Sequence, residues 1–220
     1  MSRRTRSSGP ESAPAISLDV VLLTCHERHL RFLAEPAGQP RRIALPWGTA
    51  GKGEQLETAA ARIAARAVGT SPDWMEQAGA FGDNTAHPGG AMLSVCFAGV
   101  VPWREHPGWR DVQSLSGLAE RQRRMVAAAL SVVQSRLEQA PIAFFLLPRQ
   151  FTLSELQQIY ETILGRRLHK ASFRRALQAV FLVEPTDEWR SEGRGRPAQL
   201  FRYAPRRRKM RRRGVRLDLL

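Results

Sequence analysis

Basic and small polar side chains line one face of a short segment near the C-terminus. Residues 170–180 (KASFRRALQAV) place apolar side chains at helical spacing, and the opposite face carries Lys170, Ser172, Arg174 and Arg175. Arginine can bond the two acceptors of a guanine edge or bridge phosphates, and serine can donate to either. This pattern predicts a recognition helix for the major groove of double-stranded DNA.

A second helix is predicted immediately before this one. Thr152-Leu153-Ser154-Glu155 is a capping box, because the threonine hydroxyl can accept from the Glu155 amide while the glutamate side chain bonds the Thr152 amide. Gly165 is a natural helix C-cap, and the turn after it adds Arg166 and Arg167 as candidate DNA contacts. Two helices joined by a turn of four to five residues have the layout of a helix-turn-helix.

The residues that follow predict a β-hairpin with a basic loop. Residues 181–183 (FLV) and 199–203 (QLFRY) are strand-like, and the glycine-hinged loop 191–197 (SEGRGRP) carries Arg194 and Arg196. Glycines would let this loop approach a groove closely, and its arginines would grip the DNA backbone or the minor groove. The region 141–204 is therefore predicted to form a winged helix-turn-helix. A solvated basic surface that binds nothing is the alternative.

The charge distribution favours a polyanionic partner for this part of the chain. Residues 1–140 hold 16 Lys or Arg against 13 Asp or Glu, whereas residues 141–220 hold 18 against 7, so +11 of the formal net charge of +14 lies in the second range. Such an excess points to nucleic acid. The run RRRKMRRRGVR predicts a disordered basic tail over 205–220, which either grips phosphates without sequence preference or only keeps the chain in solution.

The first part of the chain predicts a mixed α/β domain over residues 16–115. Short apolar runs predict strands, and alanine-rich or amphipathic runs predict helices. The predicted strands are 16–23, 30–34 and 91–101, and the predicted helices are 54–68, closed by Gly69, and 118–138. We interpret the second helix as a linker within 116–140, with a coiled-coil dimer seam as the alternative. Residues 1–15 are predicted to be a disordered basic arm.

The two cysteines and the apolar runs restrict the class of protein. Cys25 and Cys96 each lie inside a short apolar run, which predicts buried reduced thiols and a reducing cytoplasm rather than a disulfide or a metal pair. No apolar run reaches the roughly 18 residues of a membrane span, and the N-terminus lacks an apolar signal region. We therefore expect a cytoplasmic protein without a membrane partner, a cofactor or a metal site.

Several stretches match motifs of one bacterial family, in the family's order. They are LPWGTAGKGEQLETAAARIAARAVG, AFGDNTAHPGGAMLSVCFAGVVP, and PIAFFLLPRQFTLSELQQIYETILGRRLHKASFRRAL followed by GRGRPAQLFRY. From Val20 to about Tyr203, the chain resembles the Nudix-related transcriptional regulators of the NrtR type, which control genes of NAD metabolism. The resemblance implies a fold of the α/β (α+β) class, with an N-terminal Nudix-like α/β/α sandwich and a C-terminal winged helix-turn-helix, and it implies a homodimer.

The resemblance also implies that the Nudix-like domain is not an enzyme. The hydrolase motif is G-x5-E-x7-R-E-U-x-E-E-x-G-U, where U is a bulky aliphatic residue, and it is met in register by Gly48, Glu54, Arg62 and Gly69. The glutamates that hold divalent cations in hydrolases are replaced by Ile63, Arg66 and Ala67. Because magnesium needs carboxylate oxygens, we expect no catalytic and no metal-binding residue here. An active pyrophosphohydrolase with a basic appendage is the alternative.

For the Nudix-like domain, the resemblance implies a nucleotide effector such as ADP-ribose or NAD. Arg41 and Arg42 could meet a phosphate, and Trp47 could either stack on a base or fill the cleft. Phe81 and Asp83 belong to the FGD turn of the family. The chain departs from the family pattern at Trp47, which replaces the first glycine of a common Gly-Gly pair. Relatives of this architecture also regulate sugar catabolism, so a different effector is the alternative.

These features together predict a sequence-specific DNA-binding regulator, and specifically a repressor of NAD-metabolism genes. A homodimer would place two recognition helices about one DNA turn apart on a near-palindromic operator, and the protein would associate with the nucleoid when bound. An RNA- or nucleoid-binding protein whose basic tail dominates binding is a further alternative.

Overall fold

The computed structural model describes residues 16–82, 87–191, 197–205 and 214–215. Within these ranges the strands are β1 (Ile16–His26), β2 (His29–Leu33), β3 (Glu35–Pro36), β4 (Ile43–Ala44), β5 (Trp47–Gly48), β6 (Trp74–Phe81), β7 (Leu93–Val100), β8 (Trp109–Asp111), β9 (Gln150–Phe151), β10 (Val183–Arg190) and β11 (Ala198–Tyr203). The helices are α1 (Leu56–Val68), α2 (Glu120–Arg136), α3 (Ile142–Phe145), α4 (Leu153–Leu164) and α5 (Lys170–Val180). The predicted arm at 1–15 and residues 206–213 and 216–220 of the predicted tail lie outside the described residues.

A mixed sheet in the order β6-β7-β1-β2-β8 forms the centre of the N-terminal part, and β5 also pairs with β1. β1 is buried along most of its length, as its continuous apolar run predicts, and it pairs in parallel with β7. It extends to His26, beyond its predicted end, because β2 pairs with it through a tight turn. The turn residues Glu27 and Arg28 have φ values of 48° and 66°, the hand that suits the twist of a two-residue hairpin.

Helices cover both faces of this sheet. α1 buries the apolar residues Ala59, Ala60, Ile63 and Ala64 in one cluster with β1 and β7. α2 buries Met125, Val126, Ala129 and Val133 in a second cluster on the other face. Both helices bury one stripe because their apolar residues recur at the helical period. The predicted α/β/α sandwich is confirmed.

The edge strands β6 and β8 are absent from the prediction. β6 is only partly buried, and a bulge between Gln77 and Gly79 interrupts its pairing with β7. Because regular alternation of apolar and polar residues is the sequence signal of a half-buried strand, the bulge weakens that signal. β8 has three residues and is held by pairing with β2.

The C-terminal part contains the predicted helix-turn-helix and hairpin. The bounds of α5 agree with the prediction, and a three-stranded sheet has the order β10-β11-β9. The first hairpin strand begins at Val183 rather than at Phe181, because Phe181 is the left-handed C-cap of α5 with φ 49°. The predicted winged helix-turn-helix is confirmed apart from residues 192–196 of its loop, which lie outside the described residues.

One apolar core joins the two parts of the chain. The cluster on the α2 face of the sheet continues through α2 and α3 into α4 and α5, and includes Leu137, Ile142 and Tyr160. α2 therefore packs along the sheet and also contacts α4. The boundaries at residues 115 and 140 stay predictions.

Of the predictions about the cysteines and the tail, the first is confirmed and the second is wrong at two residues. Cys25 and Cys96 are buried free thiols, as predicted, and burial raises the pKa of each. Disorder of the tail is wrong for Gly214 and Val215, because Val215 is fully buried in the core. The tail was predicted from its charge density, and charge density does not reveal that one apolar residue, Val215, packs into the core.

Candidate nucleic-acid interface and effector cleft

Local hydrogen bonds define both ends of α4. The Thr152 hydroxyl accepts from the Glu155 N–H at 3.1 Å, and the Glu155 carboxylate accepts from the Thr152 N–H at 2.6 Å. At the other end, Gly165 adopts the left-handed conformation with φ 66°. The predicted capping box and C-cap are both confirmed. They fix where the helix-turn-helix begins and where its turn starts.

Glu161 holds the turn between α4 and α5. Its carboxylate accepts from the Leu168 N–H at 2.9 Å and from the Gln157 amide at 3.0 Å. Partial burial opposes ionisation, but these two bonds and the charges of Arg167 and Arg28 outweigh it and lower the pKa of Glu161. An ionised Glu161 therefore fixes the turn that leads into α5.

α5 packs on α4 through its apolar face and exposes basic residues. Phe173 is fully buried against Tyr160, with ring centroids 5.4 Å apart. The exposed predicted contacts, which we call the basic surface, are Arg166, Arg167, Lys170, Arg174 and Arg175. Ser172 is half-buried, and its hydroxyl lies 3.3 Å from His169 Nδ1. The basic surface thus lies on one helix and the turn before it, and the packing of Phe173 on Tyr160 holds that helix against α4.

The wing, formed by the hairpin of β10 and β11, is hydrogen-bonded to the start of α4. Arg190 at the end of β10 donates to Glu155 Oε1 at 2.7 Å and to the Gln150 carbonyl at 3.4 Å. Glu155 therefore both caps α4 and orients the wing. Sequence analysis missed this ion pair, because its partners lie 35 residues apart. The predicted wing contacts Arg194 and Arg196 lie outside the described residues.

A cleft with a volume of about 510 Å³ opens on the Nudix-like sandwich. The loop 37–43 lines one side and includes Arg42, while His87, Pro88 and the residues just before α2 line the other. Arg41 is exposed beside Arg42 and has φ 64°, an uncommon conformation for a non-glycine residue. Of the predicted effector residues, Arg42 lines this cleft.

A buried polar network lies behind the cleft. The fully buried Asp19 carboxylate accepts from Gln122 Nε2 at 2.9 Å, from His87 Nε2 at 3.1 Å and from Ser17 Oγ at 2.8 Å. His87 Nδ1 accepts from the Gly89 N–H at 3.0 Å, which assigns the ring proton to Nε2. Each donor thus offsets the cost of burying the carboxylate. Sequence analysis did not find this network.

The network is anchored on α2. Gln122 donates to Asp19 and accepts from the Leu45 N–H at 3.3 Å. The neighbouring Arg121 is buried and donates to the Ala91 carbonyl at 2.8 Å and to Ser94 Oγ at 3.3 Å. The only sequence signal for this network was the presence of polar residues in the first turn of α2. The same residues are also typical of an exposed helix start, so the signal did not indicate burial.

Trp47 packs against the network. Its ring lies edge-on to His87, with centroids 4.9 Å apart, and a Cβ added at Gly89 would overlap it. Trp47 therefore fills space beside His87. Phe81 lies elsewhere, partly buried on β6 with the Arg124 guanidinium 6.0 Å from its ring centroid. The predicted effector residue Asp83 lies outside the described residues.

The residues of the Nudix motif make structural contacts. Glu54 is paired with Arg62 at 2.7 Å and accepts from the Gly51 N–H, and the Arg62 bond foremost lowers the pKa of Glu54 to about 2. Ile63 is buried in the α1 cluster, and Arg66 donates to the Trp47 carbonyl at 3.1 Å. Among the residues that the structure describes, no three His, Cys, Asp or Glu side chains are grouped so as to hold a metal ion.

Comparison with known proteins finds a matching domain family for the C-terminal part and similar proteins for most of the chain. Residues 143–203 match the NrtR DNA-binding winged helix domain. Over 208 residues the chain is 28% identical to the ADPR-responsive transcriptional repressor NtrR of Acinetobacter baylyi, covering 87% of this chain and 83% of that protein. The crystal structure of Shewanella oneidensis NrtR with a 27mer DNA matches 92% of this chain and 98% of its own, with a TM-score of 0.78 and 26% identity. Residues 143–203 thus carry an NrtR-type DNA-binding winged helix, and over most of its length the chain is similar to the NrtR-type regulators.

A MutT/nudix family protein from Enterococcus faecalis shares the fold of this chain, with a TM-score of 0.63 and 17% identity over 90% of each chain. The resemblance predicted from the sequence motifs is confirmed by the matching winged helix domain and by the two NrtR-type relatives. In the described part of the chain, no helix combines the length and the apolarity that a membrane crossing requires.

Proposed function

We propose that the chain is a sequence-specific DNA-binding repressor that responds to a nucleotide metabolite. The observation that carries this proposal is the basic surface, five exposed cations on α5 and its turn, which a capped and packed α4 holds in place. Exposed cations on a rigid helix can contact base edges and phosphates together. The DNA in the Shewanella oneidensis NrtR crystal and the repressor named from Acinetobacter baylyi support the proposal.

ADP-ribose or the related NAD is the proposed effector, and the cleft beside Arg42 and His87 is its proposed site. The Acinetobacter baylyi relative is named as ADPR-responsive, which supports ADP-ribose first. Arg42 offers a charged donor for a diphosphate, and the cleft volume suits a ligand of nucleotide size. NAD-metabolism genes are the proposed targets.

We also propose that the Nudix-like domain has no hydrolase activity. Ile63, Arg66 and Ala67 occupy the positions of the hydrolase glutamates, and the remaining Glu54 is already bonded to Arg62. The side chains at these positions therefore offer an alkyl group or a guanidinium where magnesium needs oxygen. Incubation with ADP-ribose and magnesium should release no AMP above a metal-free blank, and turnover would reject this part of the proposal.

We further propose that the protein acts in the cytoplasm as a homodimer. Two copies related by a twofold axis would present two α5 helices to half-sites about 34–36 Å apart on a near-palindromic operator. Sedimentation of the free protein and of its complex with a single operator duplex measures the number of chains. A complex with one chain per duplex would reject the dimer.

The DNA proposal is tested by selecting duplexes from a random pool and titrating the selected sequence by fluorescence anisotropy. Arg174→Ala should weaken binding to the selected duplex more than to a random one, and should cost about 1–3 kcal/mol if Arg174 meets a guanine edge. Arg104→Ala is the control, because Arg104 is an exposed cation of the sandwich and its loss changes the net charge equally. Equal affinity of the intact protein for selected and random duplexes would instead indicate a nonspecific nucleic-acid binder.

A further inference from the structure

Gly214 and Val215 occupy a buried site between the end of α2 and α4. The Val215 N–H donates to the Tyr160 hydroxyl at 2.9 Å, and the Gly214 N–H donates to the Glu138 carbonyl at 3.1 Å. The Val215 side chain is fully buried in the core cluster shared by the sandwich and the winged helix. These two residues therefore bind the chain segment after α2 and the middle of α4 at once.

The fit at Gly214 is specific for glycine. A Cβ added there would overlap the Leu137 carbonyl oxygen and would lie 2.8 Å from the Ala140 carbonyl oxygen. Both obstacles are backbone atoms, which cannot turn away as a side-chain end can. Alanine at this position would therefore push the segment out of its site without any change of charge.

The site also touches the support of the recognition helix. Tyr160, which accepts from Val215, is completely buried, and burial raises its pKa, so its hydroxyl stays neutral. The Tyr160 ring also meets Phe173, the buried aromatic residue of α5. Any displacement of Val215 would thus remove a bond from the residue on which α5 rests.

α2 connects this site with the effector cleft. The helix has 17 residues, which corresponds to about 26 Å. Its first turn carries Gln122 in the Asp19 network, and the chain just beyond its last turn receives Gly214. The two ends of this one packed helix thus meet the Asp19 network and the Gly214 site.

We propose that Gly214 and Val215 form a C-terminal anchor that fixes the winged helix on α2 in the orientation required for DNA binding. The DNA part of this inference rests on the proposed function. Without the anchor, the winged helix populates the competent orientation for a smaller fraction of the time. A fall of that fraction to about one tenth raises the apparent Kd about tenfold.

The test compares two truncated chains, one ending at Arg213 and one ending at Asp218. The first lacks the anchor and the second keeps it. The first truncation removes Arg216 and Asp218 together, and the second removes only two leucines, so the formal net charge of side chains is the same in both. Gly214→Ala, with Leu219→Ala as its control, tests the anchor in a chain of full length.

Three measurements are made on each protein: hydrogen exchange of the α4 amides, the midpoint of thermal unfolding, and affinity for the selected duplex. We expect the chain ending at Arg213 and Gly214→Ala to lose exchange protection in α4, to unfold at least about 4 °C lower, and to bind about tenfold more weakly. Both controls should match the intact protein. If the chain ending at Arg213 does not fold, Gly214→Ala carries the comparison.

Unchanged exchange protection and thermal midpoint in both anchor variants would overturn the anchor itself. Loss of protection with unchanged DNA affinity would overturn its role in DNA binding. If the intact protein selects no duplex, the proposed function fails, while exchange and unfolding still decide whether the anchor exists.

Discussion

Replacement of Gln122 by methionine tests the buried network at the start of α2. The two side chains have similar length, so the change removes polar atoms and leaves little empty space. Gln122 donates to the buried Asp19 carboxylate at 2.9 Å and accepts from the Leu45 N–H at 3.3 Å. Methionine can form neither bond.

The expected loss follows from one hydrogen bond lost by the Asp19 carboxylate and from the buried Leu45 N–H left without an acceptor. A hydrogen bond to a charged group contributes about 1.5–3 kcal/mol, and an orphaned buried donor costs about 1–3 kcal/mol. Because the Leu45 bond is long, the lower part of its range applies, and the free energy of unfolding should fall by about 2.5–4 kcal/mol. His87 and Ser17 still donate to Asp19, so the carboxylate keeps two of its three partners.

Urea unfolding followed by circular dichroism measures this change from the shift of the midpoint at an unchanged slope. Gln113→Met is the matched control, because Gln113 is exposed and the same atoms are replaced. The control should stay within about 0.5 kcal/mol of the intact protein. Equal stability of the two variants would refute the reasoning, because it would mean that the buried amide contributes no more than a surface amide.

Three further changes test other parts of the molecule. Thr152→Ala removes the bond from the Glu155 N–H to the threonine hydroxyl and should lower the free energy of unfolding by about 1 kcal/mol, measured by thermal denaturation. Ser154→Ala, at an exposed position in the same turn, is its control. Gly89→Ala drives a Cβ into the Trp47 ring and should cost about 1–3 kcal/mol, and the double variant with Trp47→Ala should recover part of that cost; additive losses would contradict the contact. Arg62→Met removes the main cause of the low Glu54 pKa of about 2, so carbon-detected NMR should find Glu54 titrating at higher pH. Because the folded pKa is depressed, the stabilisation by this pair is present above the ordinary glutamate pKa and is lost as pH falls toward 2; an unchanged Glu54 titration would contradict the pair.

The effector proposal and the anchor concern opposite ends of α2. The cleft beside Arg42 meets the first turn of the helix through His87, Asp19 and Gln122, and the anchor meets the segment after its last turn. A ligand can shift the orientation of the winged helix only by as much as its affinity differs between the two orientations. The variants at Gln122 and Gly214 therefore separate a defect in the cleft from a defect in the anchor.

The sequence by itself determined the features that depend on neighbouring residues. The capping box at Thr152, the left-handed glycines after α1 and α4, and the bounds of α5 could be predicted because helix ends and helix faces are set by residues within one or two turns. The charge asymmetry and the family motifs indicated the nucleic-acid interface and the Nudix-like sandwich from the sequence alone.

The tertiary structure decided which residues distant in the sequence contact one another. Asp19 meets His87 and Gln122 across 68 and 103 residues, and Val215 meets Tyr160 across 55. No local pattern encodes such contacts, because they exist only once the sheet, α2 and α4 have packed around one core.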